Sequence, residues 1–297
     1  MSVAITPPAI SVVSAGRQLL GTISWRRNIL LGFAVAVLLA LILCALMPGV
    51  LAPMDPLAQN LRATNLGLNA VTEDGRHLLG TDALGRDVLS RLIYGARLSL
   101  GVGLAGALLS SAVGIPLGLI AGFKGGAFDT VIMRVVDAVL SFPSLVLYIF
   151  LSYVLGGGIL NLIIVLSVLR WVNYVRVTRS IALTHRDLAF VKAARMVGCS
   201  DLRIMFRHVL PNIVSPLAVL TALEVAAVVL AESSLSFLGL GVPPETPSWG
   251  QMIAGGRDYL SSAPWLVVAP GIAIFLATFC LNVVASWARE VTSGSER

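Results

Sequence analysis

Six apolar runs, each close to the length that crosses a lipid bilayer, constrain this chain more than any other feature of its sequence. They cover residues 29–51, 98–122, 135–155, 159–177, 213–235 and 264–287. A helix needs about 20 predominantly apolar residues to span the hydrocarbon core. With 57% hydrophobic and 12% charged residues, the chain carries more apolar surface than a water-soluble core could hide. We therefore predict an all-α membrane protein with six transmembrane helices.

The distribution of basic residues predicts the orientation of these helices. An even number of spans places both termini on one side, which then carries fourteen Lys or Arg residues against six on the other. Loops rich in Lys and Arg stay in the cytoplasm, so we expect both termini to be cytoplasmic. The net charge of +6 then reflects orientation, and nucleic acid is not expected as a partner. The six basic residues expected outside are Arg62, Arg76, Arg86, Arg91, Arg97 and Arg257.

The spans divide the chain into membrane and water-exposed parts. The long outer segment 236–263 contains Trp249, and we expect it to fold back onto the mouth of the bundle because Trp favours the membrane interface. Residues 178–212 form the longest cytoplasmic connector, which we call the basic loop. The predicted parts are a cytoplasmic tail at 1–28, the first transmembrane helix at 29–51, an extracytoplasmic segment at 52–97, a five-helix core with the basic loop at 98–290 and a tail at 291–297.

The basic loop contains two predicted short helices. Apolar residues recur at helical spacing within 184–198, and Gly198 can end this helix because glycine reaches the left-handed conformation of a helix stop. A second helix is predicted over 201–209, and Pro211 then opens the next apolar run, where its missing N–H costs nothing. On composition alone, the simpler interpretation is a solvated loop that sets topology, or a loop that lies on anionic lipid.

The spacing within this loop resembles the signature of ABC importer permeases, E-A-A-x₃-G followed after nine residues by I-x-L-P. Lys192 stands where the signature has Glu, and His208 stands where it has Ile. The second departure is typical of the dipeptide/oligopeptide permease branch, in which the stretch reads R-H-x-L-P-N. The matching positions are held by Ala193, Ala194, Gly198, Leu210 and Pro211.

Three further motifs resemble the C-type subunit of the same branch. Residues 80–91 match G-T-D-x-x-G-R-D-x-x-S-R, residues 232–241 match E-x-x-L-S-F-L-G-L-G, and residues 247–250 read P-S-W-G. The likeness extends from Trp25 to Trp287. In the motif at 80–91 we favour local ion pairs on a lead-in helix over docking to another protein, because charges four residues apart can pair on a helix.

The resemblance implies a type I permease bundle that pairs with a homologous permease subunit around the transport pathway. Two ATPase subunits would bind from the cytoplasm, and an extracytoplasmic binding protein would deliver the solute. It implies import of dipeptides or oligopeptides across the bacterial cytoplasmic (inner) membrane, with nickel, glutathione or oligosaccharides as alternatives. The chain itself would be surrounded by membrane lipid, perform no catalysis and bind no cofactor or metal, since ATP and Mg²⁺ would sit on the ATPase subunits.

Two groups of residues follow as candidate sites. Glu224 and Arg170 lie within predicted spans and are candidates for the pathway, because charges inside a membrane usually face a cavity or a partner. A hydrogen bond from Glu224 to a neighbouring span is an equally good interpretation. The resemblance implies ATPase coupling by Lys192, Ala193, Ala194, Arg195, Gly198, Asp201, Leu210 and Pro211.

A stand-alone secondary transporter or channel is the alternative from a different class. Such a protein usually shows inverted repeats or broken helices with ion-binding groups near the midplane. The sequence shows no convincing repeat, and this alternative leaves the motif in the basic loop unexplained.

Overall fold

The computed structural model describes residues 11–294 of the chain, and the side chains of residues 28–291 among them. Residues 1–10 and 295–297 of the two predicted tails lie outside the described residues. The described elements are α1 Ser11–Leu46, α2 Pro48–Leu51, β1 Ala70–Thr72, β2 Gly75–His77, α3 Val88–Lys124, α4 Gly126–Leu140, α5 Ser144–Leu155, α6 Ile159–His185, α7 Ala189–Met196, α8 Asp201–Ile204, a π turn Met205–Val209, α9 Leu210–Phe237, α10 Trp249–Gly256, a 3₁₀ turn Arg257–Tyr259 and α11 Trp265–Gly294.

The helical membrane fold predicted from the apolar runs is confirmed. Within residues 11–294, five helices are long and apolar enough to cross a membrane, and a sixth span results if α4 and α5 are counted as one. The antiparallel hairpin of β1 and β2 is a small addition to the predicted all-α fold. We call the end of the bundle that carries residues 178–212 the basic-loop end, and the opposite end, which carries β1 and β2, the hairpin end.

Several helix ends differ from the limits of the apolar runs. The first span ends at Leu46 instead of residue 51, because Pro48 disfavours helical backbone at the preceding Met47, whose ψ is +49°. Helix α3 begins at Val88, before the predicted start at residue 98, and α6 continues beyond residue 177 to His185. Helices therefore project from the apolar zone at both ends of the bundle.

Glycines line the face of α3 that packs against α6, the most extensive helix contact of the bundle. Gly114, Gly118 and Gly122 recur at every fourth position and therefore share one face of α3. A Cβ atom on Gly118 would lie 2.6 Å from the carbonyl oxygen of Val175 in α6. Small residues at this spacing let two backbones approach closely, so the pair is held by dispersion contacts along its length.

The third predicted span is not a straight helix. Helices α4 and α5 are bent against each other by 89° at the break between Leu140 and Ser144. Pro143 lies at this break, and a proline disfavours helical backbone at the residue before it. The other end of α4 is tied to α6 by an ion pair in which Arg179 donates two hydrogen bonds to the carboxylate of Asp129.

The fifth span continues without interruption into the basic loop. Residues 201–237 form one helical segment in which the π turn joins α8 to α9. Pro211 was predicted to open this span, and it does lie in the first turn of α9, which follows the π turn directly. Proline cannot donate a backbone hydrogen bond, and a wider π turn is one way for a helix to accommodate this.

A short helix folds back over the hairpin end of the bundle, as expected for segment 236–263. Trp249, the first residue of α10, is fully buried, and its indole N–H donates a 3.0 Å hydrogen bond to the carbonyl of Leu92 in α3. The buried carboxylate of Glu232 accepts hydrogen bonds from the hydroxyls of Ser99 at 3.0 Å and Ser236 at 2.7 Å. The bond from Ser99 to Glu232 joins α3 to α9. The backbone N–H of Trp249 donates a hydrogen bond to the hydroxyl of Ser99, so α10 is held at the same point.

The motif at residues 80–91 forms a turn that leads into α3 rather than the predicted lead-in helix. Asp82 accepts a 2.7 Å hydrogen bond from Nε of Arg86, the i,i+4 pair we expected, and lies 3.6 Å from Nε of Arg91. Asp87 accepts 2.7 Å hydrogen bonds from the backbone N–H and the hydroxyl of Ser90. Asp87 therefore caps helix α3 instead of pairing with Arg91.

Candidate functional site

The basic loop turns back on itself through α7 and a glycine stop. Gly198 has a φ of +83°, a left-handed conformation that glycine adopts at little cost. The N–H of Gly198 donates a 3.0 Å hydrogen bond to the carbonyl of Arg195, and the N–H of Cys199 donates one of 3.0 Å to that of Ala194. These two bonds form a Schellman cap, so the helix stop predicted at Gly198 is confirmed.

Helix α7 has one face packed on the bundle and one face in the open. Val191 is fully buried in a cluster with Ile204 and Val209 of the following helical segment. Lys192 and Ala193 point away from this cluster and are exposed. The buried face fixes where α7 lies, and the opposite face is free to contact another molecule.

The outer end of this loop exposes apolar side chains. Met196 and Val197 are 83% and 80% exposed, and Leu202 is 57% exposed. We call these three residues the apolar tip. Contiguous apolar groups at a surface are typical of interaction sites. The candidate residues named from the sequence did not include Met196 and Val197, although two consecutive apolar residues directly before a glycine stop would have been a usable signal.

Arg195 and Asp201 brace the loop from within. The guanidinium of Arg195 lies 4.9 Å from the ring centroid of Phe123 at the end of α3, and its Nε is 3.2 Å from Oδ1 of Asp201. Both side chains of the ion pair are about half exposed, at 45% and 47%, so the pair contributes little free energy. The two contacts of Arg195 instead fix the position of α7, because one holds it against the end of α3 and the other against the start of α8.

The last two predicted coupling residues lie at the base of the loop. Leu210 is half-buried against the cluster that contains Val209 and Ile213, and Pro211 is exposed in the first turn of α9. The structure therefore brings residues 192–201 together at the outer end of the loop. It leaves Leu210 and Pro211 at the point where the loop joins the span.

Arg170 and Glu224, the two predicted pathway residues, meet between α6 and α9. Nη1 of Arg170 lies 3.5 Å from Oε2 of Glu224, and its Nη2 donates a 3.3 Å hydrogen bond to the carbonyl of Ala227. The amide of Asn173 donates a 2.9 Å hydrogen bond to Oε1 of Glu224. Asn173 was not predicted, although its position three residues after Arg170 places it on the same helix face.

The two charged side chains differ in how accessible they are. The side chain of Glu224 is 8% exposed, whereas that of Arg170 is 24% exposed. The carboxylate is thus enclosed by hydrogen bonds from the neighbouring span, whereas the side chain of Arg170 keeps part of its surface exposed.

The apolar helices, the bent helix pair and the exposed helical loop together define a polytopic membrane protein of the helical-bundle class. Residues 114–292 match the family described as the binding-protein-dependent transport system inner membrane component, and the chain belongs to that family. It is therefore a permease subunit of an ABC importer, as the sequence motifs predicted. Proteins of this family work in an assembly with a partner permease, ATPases and a binding protein.

Individual relatives agree with this membership. A di/tripeptide transport system permease protein of Pseudomonas aeruginosa is 42% identical over 85% of this chain and 84% of its own length. A nickel transport system permease protein of Escherichia coli is 36% identical over 90% of this chain and 94% of its own length. Inward-facing structures of the MetNI methionine ABC transporter share the fold, with a TM-score of 0.52 at 16% identity over 67% of this chain and 96% of theirs.

Proposed function

We propose that this chain forms half of the membrane pathway of a bacterial importer for dipeptides and oligopeptides, and that α7 couples the pathway to an ATPase subunit. The observation that carries the coupling role is the apolar tip, which ends a helix whose other face is anchored to the bundle. A short helix with one free face and apolar end residues fits a groove on another protein, because the groove would remove these side chains from water.

A continuous helix connects the basic loop to the membrane span and can transmit a movement between them. Residues 201–237 form one helical segment that includes Leu202 of the apolar tip, so a displacement at Leu202 is transmitted to α9 along a continuous helix. Glu224 lies on this helix and contacts Arg170 on α6. Closure of the ATPases on ATP would thereby change the packing of α9 against α6, which is rigid-body switching of packed helices.

The names of relatives support peptides as the cargo. The relative named for di/tripeptide transport is 42% identical to this chain, whereas the relative named for nickel transport is 36% identical. The ligand that co-purifies with the cognate binding protein, identified by mass spectrometry, tests this assignment. A peptide supports it, and nickel, glutathione or an oligosaccharide would replace it with one of the alternatives.

The remaining parts of the proposal concern the assembly and its orientation. The excess of Lys and Arg on the side of both termini supports a cytoplasmic location for the termini and for the basic loop. The ATPases would then bind from the cytoplasm and carry ATP and Mg²⁺, while this chain contributes no catalysis. A homologous permease would complete the pathway as a heterodimer, and the binding protein would dock at the hairpin end.

Gly198→Asp tests the coupling role. We expect this variant to insert and to assemble, but to lose substrate-stimulated ATP hydrolysis in the reconstituted importer, because a charged side chain would stand beside the apolar tip. Space is not limiting at this position, since a Cβ atom added to Gly198 would meet no neighbouring atom within 4 Å.

Gly126→Asp is the matched control. Gly126 has a φ of +62° and an added Cβ atom would meet no neighbouring atom within 4 Å, but it is the first residue of α4, outside the basic loop. This variant should keep the stimulation, which separates the effect of backbone strain from the effect of a charge beside the apolar tip. Normal stimulation in Gly198→Asp, or equal loss in both variants, contradicts the coupling assignment.

A further inference from the structure

A cavity of about 310 Å³ lies at the hairpin end, between the turn at residues 80–91 and the short helix α10. We call it the hairpin-end cavity. Arg91 lines it from the first turn of α3, about 10 Å along the helix before residue 98, where the apolar run begins. The cavity is therefore outside the apolar zone. Its apolar wall is formed by Val88, Met252 and Leu266.

The side chain of Arg91 is buried but makes few bonds. It is 3% exposed, and its one hydrogen bond within residues 28–291 runs from Nη1 to the carbonyl of Pro56, at 3.3 Å. Nε lies 3.6 Å from Oδ2 of Asp82, which is beyond hydrogen-bond distance, and Nη2 has no partner in the same part of the chain. Unlike Nε of Arg170, these two nitrogens are not closed off from the space around them. Arg91 therefore presents free donors to the cavity.

The carboxylate of Asp82 does not satisfy Arg91, because other donors already use it. Its Oδ1 accepts hydrogen bonds from the backbone N–H groups of Leu84 at 2.9 Å and Arg86 at 3.0 Å. Its Oδ2 accepts a 2.7 Å hydrogen bond from Nε of Arg86. Arg86 and Arg91 thus share one carboxylate, and together the three side chains leave one positive charge without a counter-charge.

The second carboxylate on the cavity wall does not supply that counter-charge. Asp258 is 77% exposed, and its Oδ1 lies 3.3 Å from Nε of the neighbouring Arg257. No ion pair joins Asp258 to Arg86 or Arg91 within the described residues. A buried charge that lacks a partner is costly, and an anion in the cavity would remove this cost.

We propose that the hairpin-end cavity is a receptor site for a single carboxylate group, held by the guanidinium of Arg91. A carboxylate matches the planar N–H groups of a guanidinium in geometry as well as in charge. Gln251 and Tyr259 line the same cavity and offer an amide and a hydroxyl as further donors. The apolar wall suits the aliphatic part of the molecule that carries the carboxylate.

The carboxylate can come from two sources. Leu84 and Gly255 line the cavity and are exposed, so the cavity opens at the hairpin end of the bundle. A free organic acid could enter there from solution. A protein that docks at this end could instead present the side chain of an Asp or a Glu. The site itself does not rest on the proposed function, whereas the second source rests on the proposed docking of the binding protein.

Thermal unfolding of the purified importer in acetate tests the site in the absence of the binding protein. The unfolding midpoint is measured while sodium acetate replaces sodium chloride at constant ionic strength, with acetamide as the uncharged analogue. A ligand that binds only the folded state raises the midpoint in proportion to the logarithm of its concentration once the site is filled. We expect such a rise with acetate, none with acetamide, and loss of the acetate response in Arg91→Gln.

Gly255→Glu keeps the test decisive if Arg91→Gln does not assemble. Gly255 lies on the cavity wall, and a Cβ atom there would meet no atom within 4 Å, so the variant adds a carboxylate without a clash. It should lose the acetate response, because its own carboxylate competes for Arg91. Gly255→Gln, of the same size but uncharged, is the matched control and should keep the response. An acetate response that persists in both Arg91→Gln and Gly255→Glu overturns the site.

The affinity of the importer for its binding protein separates the two sources. If an acidic side chain of the binding protein fills the cavity, Gly255→Glu should raise the dissociation constant at least about tenfold, the loss expected for one hydrogen bond to a charged group. Acetate should then weaken binding to the parent, and Gly255→Gln should bind as the parent does. An acetate response with unchanged affinity for the binding protein assigns the site to a free organic acid.

The absence of both effects in the parent and its variants overturns the carboxylate site. Neither measurement depends on the cargo or on ATP hydrolysis, so this failure would leave the proposed function standing. Failure of the proposed function would in turn show in the ligand of the binding protein and in the Gly198→Asp variant, and the acetate response would still decide the site.

Discussion

Asp87 closes the first turn of α3 and links it to the hairpin. Its carboxylate accepts hydrogen bonds from the N–H and hydroxyl of Ser90, and Nδ1 of His77 lies 3.0 Å from its other oxygen. Asp87 is 2% exposed, so this carboxylate is buried and needs these partners. The long helix α3 therefore starts at a defined residue.

Loss of this cap should destabilise the hairpin end. We expect Asp87→Ala to lower stability by about 1–2 kcal/mol, the usual cost of an N-cap, and to leave the buried hydroxyl of Ser90 without its acceptor. The measurement is the thermal unfolding midpoint of the purified importer. Glu73→Ala, at an exposed turn of the hairpin, is the control and should leave the midpoint unchanged.

At the scale of elements, the contact between α3 and α6 depends on the absence of side chains. Gly114, Gly118 and Gly122 each place a would-be Cβ within 2.6 Å of an α6 backbone oxygen. Backbone atoms cannot move aside as the end of a flexible side chain can. The separation of these two helices is therefore set by these three glycines, which we call the glycine seam.

Gly118→Val should force the two helices apart. Overpacking typically costs about 1–3 kcal/mol, and we expect a loss of about 3 kcal/mol or failure of assembly here because the clash is with backbone. Gly101→Val in the same helix is the matched control, since no atom lies within 4 Å of a Cβ at that position. The readout is the fraction of monodisperse importer after heating in detergent, and equal behaviour of the two variants would contradict the seam.

At the scale of the whole molecule, the orientation of the bundle decides which face meets the ATPases. The basic residues predict that both termini and the basic loop are cytoplasmic. The location of α10 and the hairpin at the opposite end of the bundle gives the predicted outer side a folded cap.

Reporter fusions test this orientation. Green fluorescent protein fused after Arg297 should fluoresce, and alkaline phosphatase fused there should be inactive, because each reporter folds on only one side of the membrane. The same reporters fused after Ser262, before the last span, should show the reverse pattern. An active phosphatase after Arg297 would invert the topology and remove the basic loop from the ATPases.

The membrane class, five of the six spans and the position of the glycine stop were predictable because each depends on local chemistry. In lipid, the backbone N–H and C=O groups of an apolar run of bilayer length must be hydrogen-bonded, and a helix achieves this within the run itself, whatever its neighbours are. The glycine stop ends α7 through hydrogen bonds from the N–H groups of Gly198 and Cys199 to the carbonyls of Arg195 and Ala194, a few residues away. Features of this kind are contained in short windows of sequence.

Contacts between distant residues could not be predicted in the same way. Nothing near Arg195 in the chain indicates the ring of Phe123, and 54 residues separate Arg170 from Glu224. The 89° bend combines the local effect of Pro143 with the packing of α4 on α6 through Asp129 and Arg179. Each of these depends on which helices become neighbours.

Hydrophobicity and motif spacing act locally, and they were enough to predict a membrane permease with five spans, or six if α4 and α5 are counted as one, and with a helical loop at residues 178–212. The packing of the helices was needed to establish two further features. Met196 and Val197 are exposed at the end of α7, and Glu224 is enclosed by hydrogen bonds from α6. The physical reason is that the exposure of a side chain depends on which helices pack around it, and the sequence of one helix does not determine this.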